Sequence, residues 1–277
     1  MELLSRGWYE SATQLLFFGV QESERFDDLI MRLILESQCI SRKLQDVHEW
    51  SVFEAIRRLI RAGNHDFTLA IAQQLIDLAL SGDASFSDRH RVSDLWADLL
   101  EHSAVFTRLQ DRYDSLDRRD RWKLLIATQY MPEGTVEHRL ALEVLPLDSL
   151  LAFAQRYPDD VPWFLAQYGE LFGAGVQPLA AARPPESLMC VTPLLRGLLD
   201  EFGDRDDVLQ NIGANLHSFM TVGSRAPYYA KRIELVDQIP GFGRPRLLAW
   251  KQQLRDDLER EEQRAKREDE EFQKGIF

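Results

Sequence analysis

Apolar residues recur at three- and four-residue intervals along most of the chain, interrupted by short breaks of Gly, Pro, Asp and Ser. That period puts side chains on one stripe of an α-helix and predicts a succession of amphipathic helices. The clearest runs lie between Val191 and Asp257. Leu194, Leu195, Leu198 and Leu199 make one stripe, which stops at Phe202-Gly203-Asp204. Val208, Ile212, Leu216 and Phe219 make the next, opened by Asp206 and Asp207, whose charge suits a positive first turn. A third helix follows Pro227 with Tyr229, Ile233, Val236 and Ile239, and a fourth follows Pro245 with Leu247, Leu248, Trp250, Leu254 and Leu258.

Upstream, the same spacing predicts a helix from Trp8 to Phe18 and one capped by Ser23 with Phe26, Ile30 and Ile34. A third runs from Asp46 to Ala62, a fourth carries Phe67, Ile71, Leu75 and Leu78, and a fifth carries Val92, Leu95 and Leu99. Further helices are centred on Val105 and Leu109, on Trp122 and Leu125, on Val136, Leu140 and Val144, on Leu150 and Phe153, and on Trp163 and Leu171. No alternating apolar run flanked by hairpin turns is found, so the fold expected is all-α, without strands. Pairing consecutive helices gives units of roughly 35–45 residues, the size of HEAT-type repeats. The architecture expected is therefore an α-solenoid of antiparallel helix pairs ending in a long charged helix, with an irregular helical bundle as the alternative. Two Gly and three Pro between Gly173 and Glu186 cannot continue a helix. They either divide the chain into an N-terminal helical-repeat region (1–172), a connection (173–186), a C-terminal HEAT-like region (187–258) and a charged helical extension (259–277), or form a long loop inside one continuous solenoid.

The C-terminal part also carries a family resemblance. Glu201-Phe202-Gly203-Asp204, Val208-Leu209, Gly223-Ser224 with Tyr228-Tyr229 and Arg232-Ile233-Glu234-Leu235, then Arg244-Pro245 with Ala249-Trp250 and an Arg/Glu tail form its pattern. Together they resemble the C-terminal HEAT-like segment of large bacterial conflict and antiphage-defence proteins, some of them bearing a STAND- or NACHT-like NTPase. Where such segments carry a Trp before the Gly-Ser, this chain has Thr221-Val222. The resemblance implies a sensing or scaffolding solenoid whose partner is another protein, such as an NTPase or effector subunit, and it lends no catalytic residue.

A net charge of −12 over 277 residues argues against general binding to nucleic acid or anionic membranes. The two cysteines, Cys39 and Cys190, have no metal-ligand spacing, which fits thiols of a reducing compartment. No run reaches transmembrane length and the N-terminus lacks a signal peptide's apolar core, so a cytoplasmic location is expected.

Candidate chemistry is sparse. Phe172-Gly173-Ala174-Gly175 lacks the Lys of a phosphate-binding loop, and the six histidines form no i, i+4 pair. Asp204, His217 and Ser224 could be drawn together as a triad, but no nucleophile elbow surrounds the Ser. The acidic cluster Asp200, Glu201, Asp204, Asp206 and Asp207 departs from a calcium loop and reads as helix capping. Arg118, Arg119, Arg121 and Lys123 around Trp122 are interleaved with Asp114, Asp117 and Asp120, the pattern of a salt-bridged solvated face.

Two features point outward. Arg225, Lys231, Arg232, Arg244, Arg246 and Lys251 outnumber Glu234 and Asp237 and form a candidate patch for an anionic partner. Phe272, Ile276 and Phe277 leave an apolar tip at the end of the charged helix, suited to docking in a partner's groove. The function expected is a non-catalytic protein-binding scaffold or sensor, with no cofactor or metal. The alternative is a nucleic-acid-binding or nucleic-acid-processing protein on a HEAT-like scaffold.

Overall fold

The computed structural model describes residues 27–37, 49–81, 95–130, 139–174, 189–217 and 224–274, and these are mostly helical. The chain divides into two compact units at Leu145 and Pro146. The helix expected from Trp8 to Phe18 and the cap at Ser23 lie outside the described residues, as do Ile276 and Phe277.

In the first unit, α1 (Asp27–Ser37), α2 (Glu49–Arg61) and α3 (His65–Ser81) pack on one another. A helical segment at 95–100 (α4) leads to α5 (Ser103–Asp114) and α6 (Arg118–Ala127). The stripes read from the sequence become the core, with Ile56, Ile60, Ile71, Leu75, Trp96 and Leu99 sealed from solvent. Gly63 closes α2 at φ +82°, a conformation that suits a residue without Cβ. Asn64 Oδ1 then accepts the Phe67 amide at 3.0 Å and starts α3.

The predicted helix around Val136, Leu140 and Val144 is replaced in the described residues by other structure. Gln129–Tyr130 (β1) and Arg139–Leu140 (β2) pair antiparallel, and Ala141–Val144 is a single 3₁₀ turn. Leu140 and Val144 have helical spacing, yet Leu140 lies buried in a two-stranded ladder and Val144 is exposed.

The second unit contains α7 (Leu147–Arg156), α8 (Val161–Tyr168), β3 (Phe172–Ala174), β4 (Met189–Val191), α9 (Pro193–Phe202), α10 (Asp206–His217), α11 (Ala226–Gln238) and α12 (Pro245–Gln273). Proline stands at the first or second position of α8, α9, α11 and α12, where its missing N–H costs nothing. Most of the Gly/Pro stretch, from residue 175 to 186, lies outside the described residues. β3 and β4 flank it and pair antiparallel, Phe172 opposite Val191 and Ala174 opposite Met189, which ties both sides into one body. Thr192 strengthens that tie: its hydroxyl donates to the Glu170 carbonyl at 2.9 Å and accepts the Leu195 amide at 3.3 Å, capping α9. Among the described residues these two ribbons are the departure from an all-helical fold, and each is too short to show the alternation by which strands are recognised.

α8 packs on α10, α7 on α9, and α11 runs along α12. Leu216, Tyr229, Leu235, Val236, Leu254, Leu258 and Ala265 form a hydrophobic cluster of their own around the α11–α12 pair. The charged helical extension expected from residue 259 is packed along part of its length. Ala265 is buried, and Ser224 donates to Asp269 at 2.5 Å while Arg225 pairs with Glu268. Ala226 and Ala265 belong to the same cluster, where two small side chains let the helices approach.

Candidate partner-binding surface

The corner between α9 and α10 lies against the first turn of α12. Gly203 makes the approach: a Cβ there would stand 3.3 Å from both Arg244 Cδ and Leu247 Cδ2, and 2.4 Å from the Leu199 carbonyl. Arg244 donates to the Asp204 carboxylate and to the Asp200 carbonyl, and Arg246 donates through Nε and Nη2 to both oxygens of Asp206. The acidic cluster and the basic patch, separate readings in the sequence, are therefore largely two halves of one clasp. Asp207 completes the corner by accepting from Arg205 at 3.0 and 2.5 Å. That hydrogen bond holds the Asp207 carboxyl below the ordinary aspartate range, against a smaller opposing effect of burial. Arg205 also donates to the Pro158 carbonyl, joining α10 to the α7–α8 turn.

Most of the other sequence-predicted cations are likewise engaged with groups of the chain itself. Arg225 is paired with Glu268, which raises its pKa. Lys251 donates to the carbonyls of Ile239 at 2.6 Å and Asp237 at 3.0 Å, closing the end of α11. Arg232 is buried, with Nε on the Leu216 carbonyl at the end of α10 and Nη1 3.5 Å from the Tyr228 carbonyl. Burial pushes its pKa down, though a guanidinium remains charged throughout the ordinary pH range. Lys231 is half-buried. The six residues thus lie apart: Arg244 and Arg246 at the α9–α10 corner, Lys251 at the end of α11, Arg225 at its start, and Lys231 and Arg232 midway along it.

Next to the clasp, α10 and α12 stand apart and leave an open groove of about 550 Å³. Gly213, Ala214 and Ala249 keep it clear of side-chain bulk, Trp250 supplies apolar surface above the buried Leu209 and Leu254, Gln210, Gln253 and Asp257 add polar groups, and the Asp206–Arg246 pair stands at its margin. The edge of the Trp250 ring lies 3.9 Å from where a Gly213 Cβ would be. A second, polar groove of about 900 Å³ runs along α12 between Tyr229 and the row Arg260, Arg264 and Arg267. At the far end of α12, Phe272 is 76% exposed.

Two exposed residues have no counterpart among the predicted site residues. Phe242 and Leu248, in and after the α11–α12 turn, are 38% and 49% exposed. Pro240-Gly241-Phe242-Gly243 reads as a helix break, and the aromatic at its centre is the signal available to sequence reasoning. Among the described residues no group of three or more His, Cys, Asp or Glu could hold a metal ion, and no helix is long and apolar enough to cross a membrane.

No protein-family model matches this chain, and the searches of curated proteins and solved structures likewise found no match.

Proposed function

We propose that this chain is a non-catalytic protein-binding scaffold or sensor, its helix pairs forming part of an α-solenoid of HEAT-like type. The groove between α10 and α12 carries the reading. It is open to solvent, with Trp250 on one wall, small residues where the two helices face each other, and Gln210, Gln253 and Asp257 among its lining. A helix or extended segment of another protein could lay an apolar side chain against Trp250 and meet the polar groups of the lining with its own. The setting in bacterial defence or conflict rests on the resemblance of the C-terminal segment alone, as does an NTPase or effector subunit as the partner.

The nucleic-acid reading draws less support from this geometry. A phosphate-binding surface presents its cations to solvent, whereas Arg244, Arg246 and Arg225 are matched to carboxylates and Arg232 is buried.

Ala214 is exposed and lines the groove, so a large side chain there fills the space from outside the core. Purification of the tagged protein from its host, followed by mass spectrometry, is expected to recover a stoichiometric protein partner with the native chain. With Ala214→Trp the partner is lost while the circular-dichroism melt is unchanged. Recovery of nucleic acid alone, or of the same partner by both chains, would overturn the reading.

A further inference from the structure

α12 buries its apolar side chains unevenly. Between Pro245 and Leu258 it seats Leu247, Leu254 and Leu258, with Trp250 packed against the hydrophobic cluster. From Glu259 to Gln273 the one buried residue is Ala265, in the cluster it shares with Ala226. A buried leucine removes several times the apolar area of an Ala methyl, so the second half of the helix is held by little apolar contact.

The start of α11, which this half meets, lacks the usual features of a helix N-terminus. Arg225 stands at the cap position without a side-chain cap, and no acidic residue lies in the first turn. A cation there also faces the positive end of the helix dipole. α12 supplies what is missing. Glu268 pairs with Arg225, and Asp269 accepts from Ser224 Oγ at 2.5 Å while that Oγ accepts the Ala226 amide at 3.3 Å. Two carboxylates of one helix thus complete the first turn of the other.

These contacts are open to water. The side chains of Arg225 and Glu268 are 49% and 37% exposed, and Glu268 has a second partner in its own helix, Arg264 at 3.2 Å. The polar groove lined by Tyr229, Arg264 and Glu268 runs alongside, so the two helices are not close-packed at this end. Toward the other end of α11, Leu235 and Val236 are sealed and Lys251 holds the carbonyls of Asp237 and Ile239. α12 has no Gly or Pro after Pro245 at which to bend, so the part free to move is the start of α11.

We propose that this end of the α11–α12 pair is a salt-gated latch. When ions screen the two carboxylates, the first turn of α11 opens from α12 and uncovers Ala226, Tyr229 and Ala265. The half of α12 that carries Leu247, Leu254 and Leu258 stays seated. The latch needs no partner and stands apart from the protein-binding reading.

The test is hydrogen–deuterium exchange of the full chain, read by mass spectrometry at low salt and in about 1 M NaCl, where the screening length falls to ~3 Å. Peptides covering residues 226–233 exchange about three- to tenfold faster in high salt, and those covering 247–258 keep their rate. Glu268→Gln with Asp269→Asn gives the faster exchange already at low salt and abolishes its salt dependence. Arg225→Ser removes the misplaced cation and adds a capping hydroxyl, and it restores protection of 226–233 in that double variant. Equal salt responses of the two stretches, unchanged exchange in the double variant, or failure of Arg225→Ser to restore protection overturns the latch.

Discussion

Each unit holds a carboxylate–arginine assembly, and the two are built for different purposes. In the first unit Asp98 projects into the side of the core, its side chain only 10% exposed, and accepts from Arg57 at 2.7 Å and Arg61 at 2.9 Å. Both arginines stand on the last turns of α2, one turn apart, so a single carboxylate fixes α2 to the 95–100 segment. In the second unit Asp204 and Asp206 meet Arg244 and Arg246 one to one, with the two aspartates 54% and 60% exposed. A buried charge without a partner is costly because water cannot replace the lost contact. An exposed one loses little, since water and salt compete for it throughout. The first assembly is part of the frame; the second is an adjustable fastening beside the groove.

Asp98→Asn separates the two most sharply. It keeps the shape but removes the Asp98 carboxylate from both guanidinium groups, Arg57 retaining Glu54 at 3.4 Å. Arg57 and Arg61 are partly exposed, so the loss is expected below that of a fully buried pair, at about 2–3 kcal/mol in urea unfolding of the native chain. Arg246→Ala is the matching change in the second unit and is expected to cost no more than about 1 kcal/mol at low salt. The difference from the native chain should vanish in about 1 M NaCl, where the screening length falls to ~3 Å. Equal losses in the two variants, or a salt-insensitive loss for Arg246→Ala, would break the distinction.

The smallest effect belongs to Asp207. Its folded pKa is lowered by Arg205, so its contribution is complete above the unfolded aspartate value near 4 and is lost as the pH falls through the folded value. Its side chain is 44% exposed, which keeps that contribution to a fraction of 1 kcal/mol after screening. Below about pH 4, Asp207→Asn is therefore expected to lose stability slightly less steeply than the native chain. Acid unfolding followed by circular dichroism measures this, and identical slopes would remove Asp207 from the fastening.

The helices were legible because burial on one face imposes a period that sequence displays directly. Leu194, Leu198 and Leu199, for example, line the core as their spacing requires. The ribbons were not legible: two- and three-residue ladders such as Phe172–Ala174 are set by what lies opposite them, here Met189–Val191. The clasp failed to appear for a related reason. Charge counting is local, while Asp204 meets Arg244 and Asp206 meets Arg246 across 40 residues. A trace of it was present, since both pairs share the same one-residue spacing. The charged tail deceived in the opposite direction, because a lone Ala265 among acids and bases gives no hint that a neighbouring helix seats there.

The length of α12 has a mechanical consequence. Its 29 residues make an unbroken bar of about 43 Å. A continuous α-helix bends far less readily than the loops at its ends. The bar is held near both ends, by Arg244 and Arg246 at the α9–α10 corner and by Glu268 and Asp269 at the start of α11. It therefore works as a strut that sets the spacing between those two places.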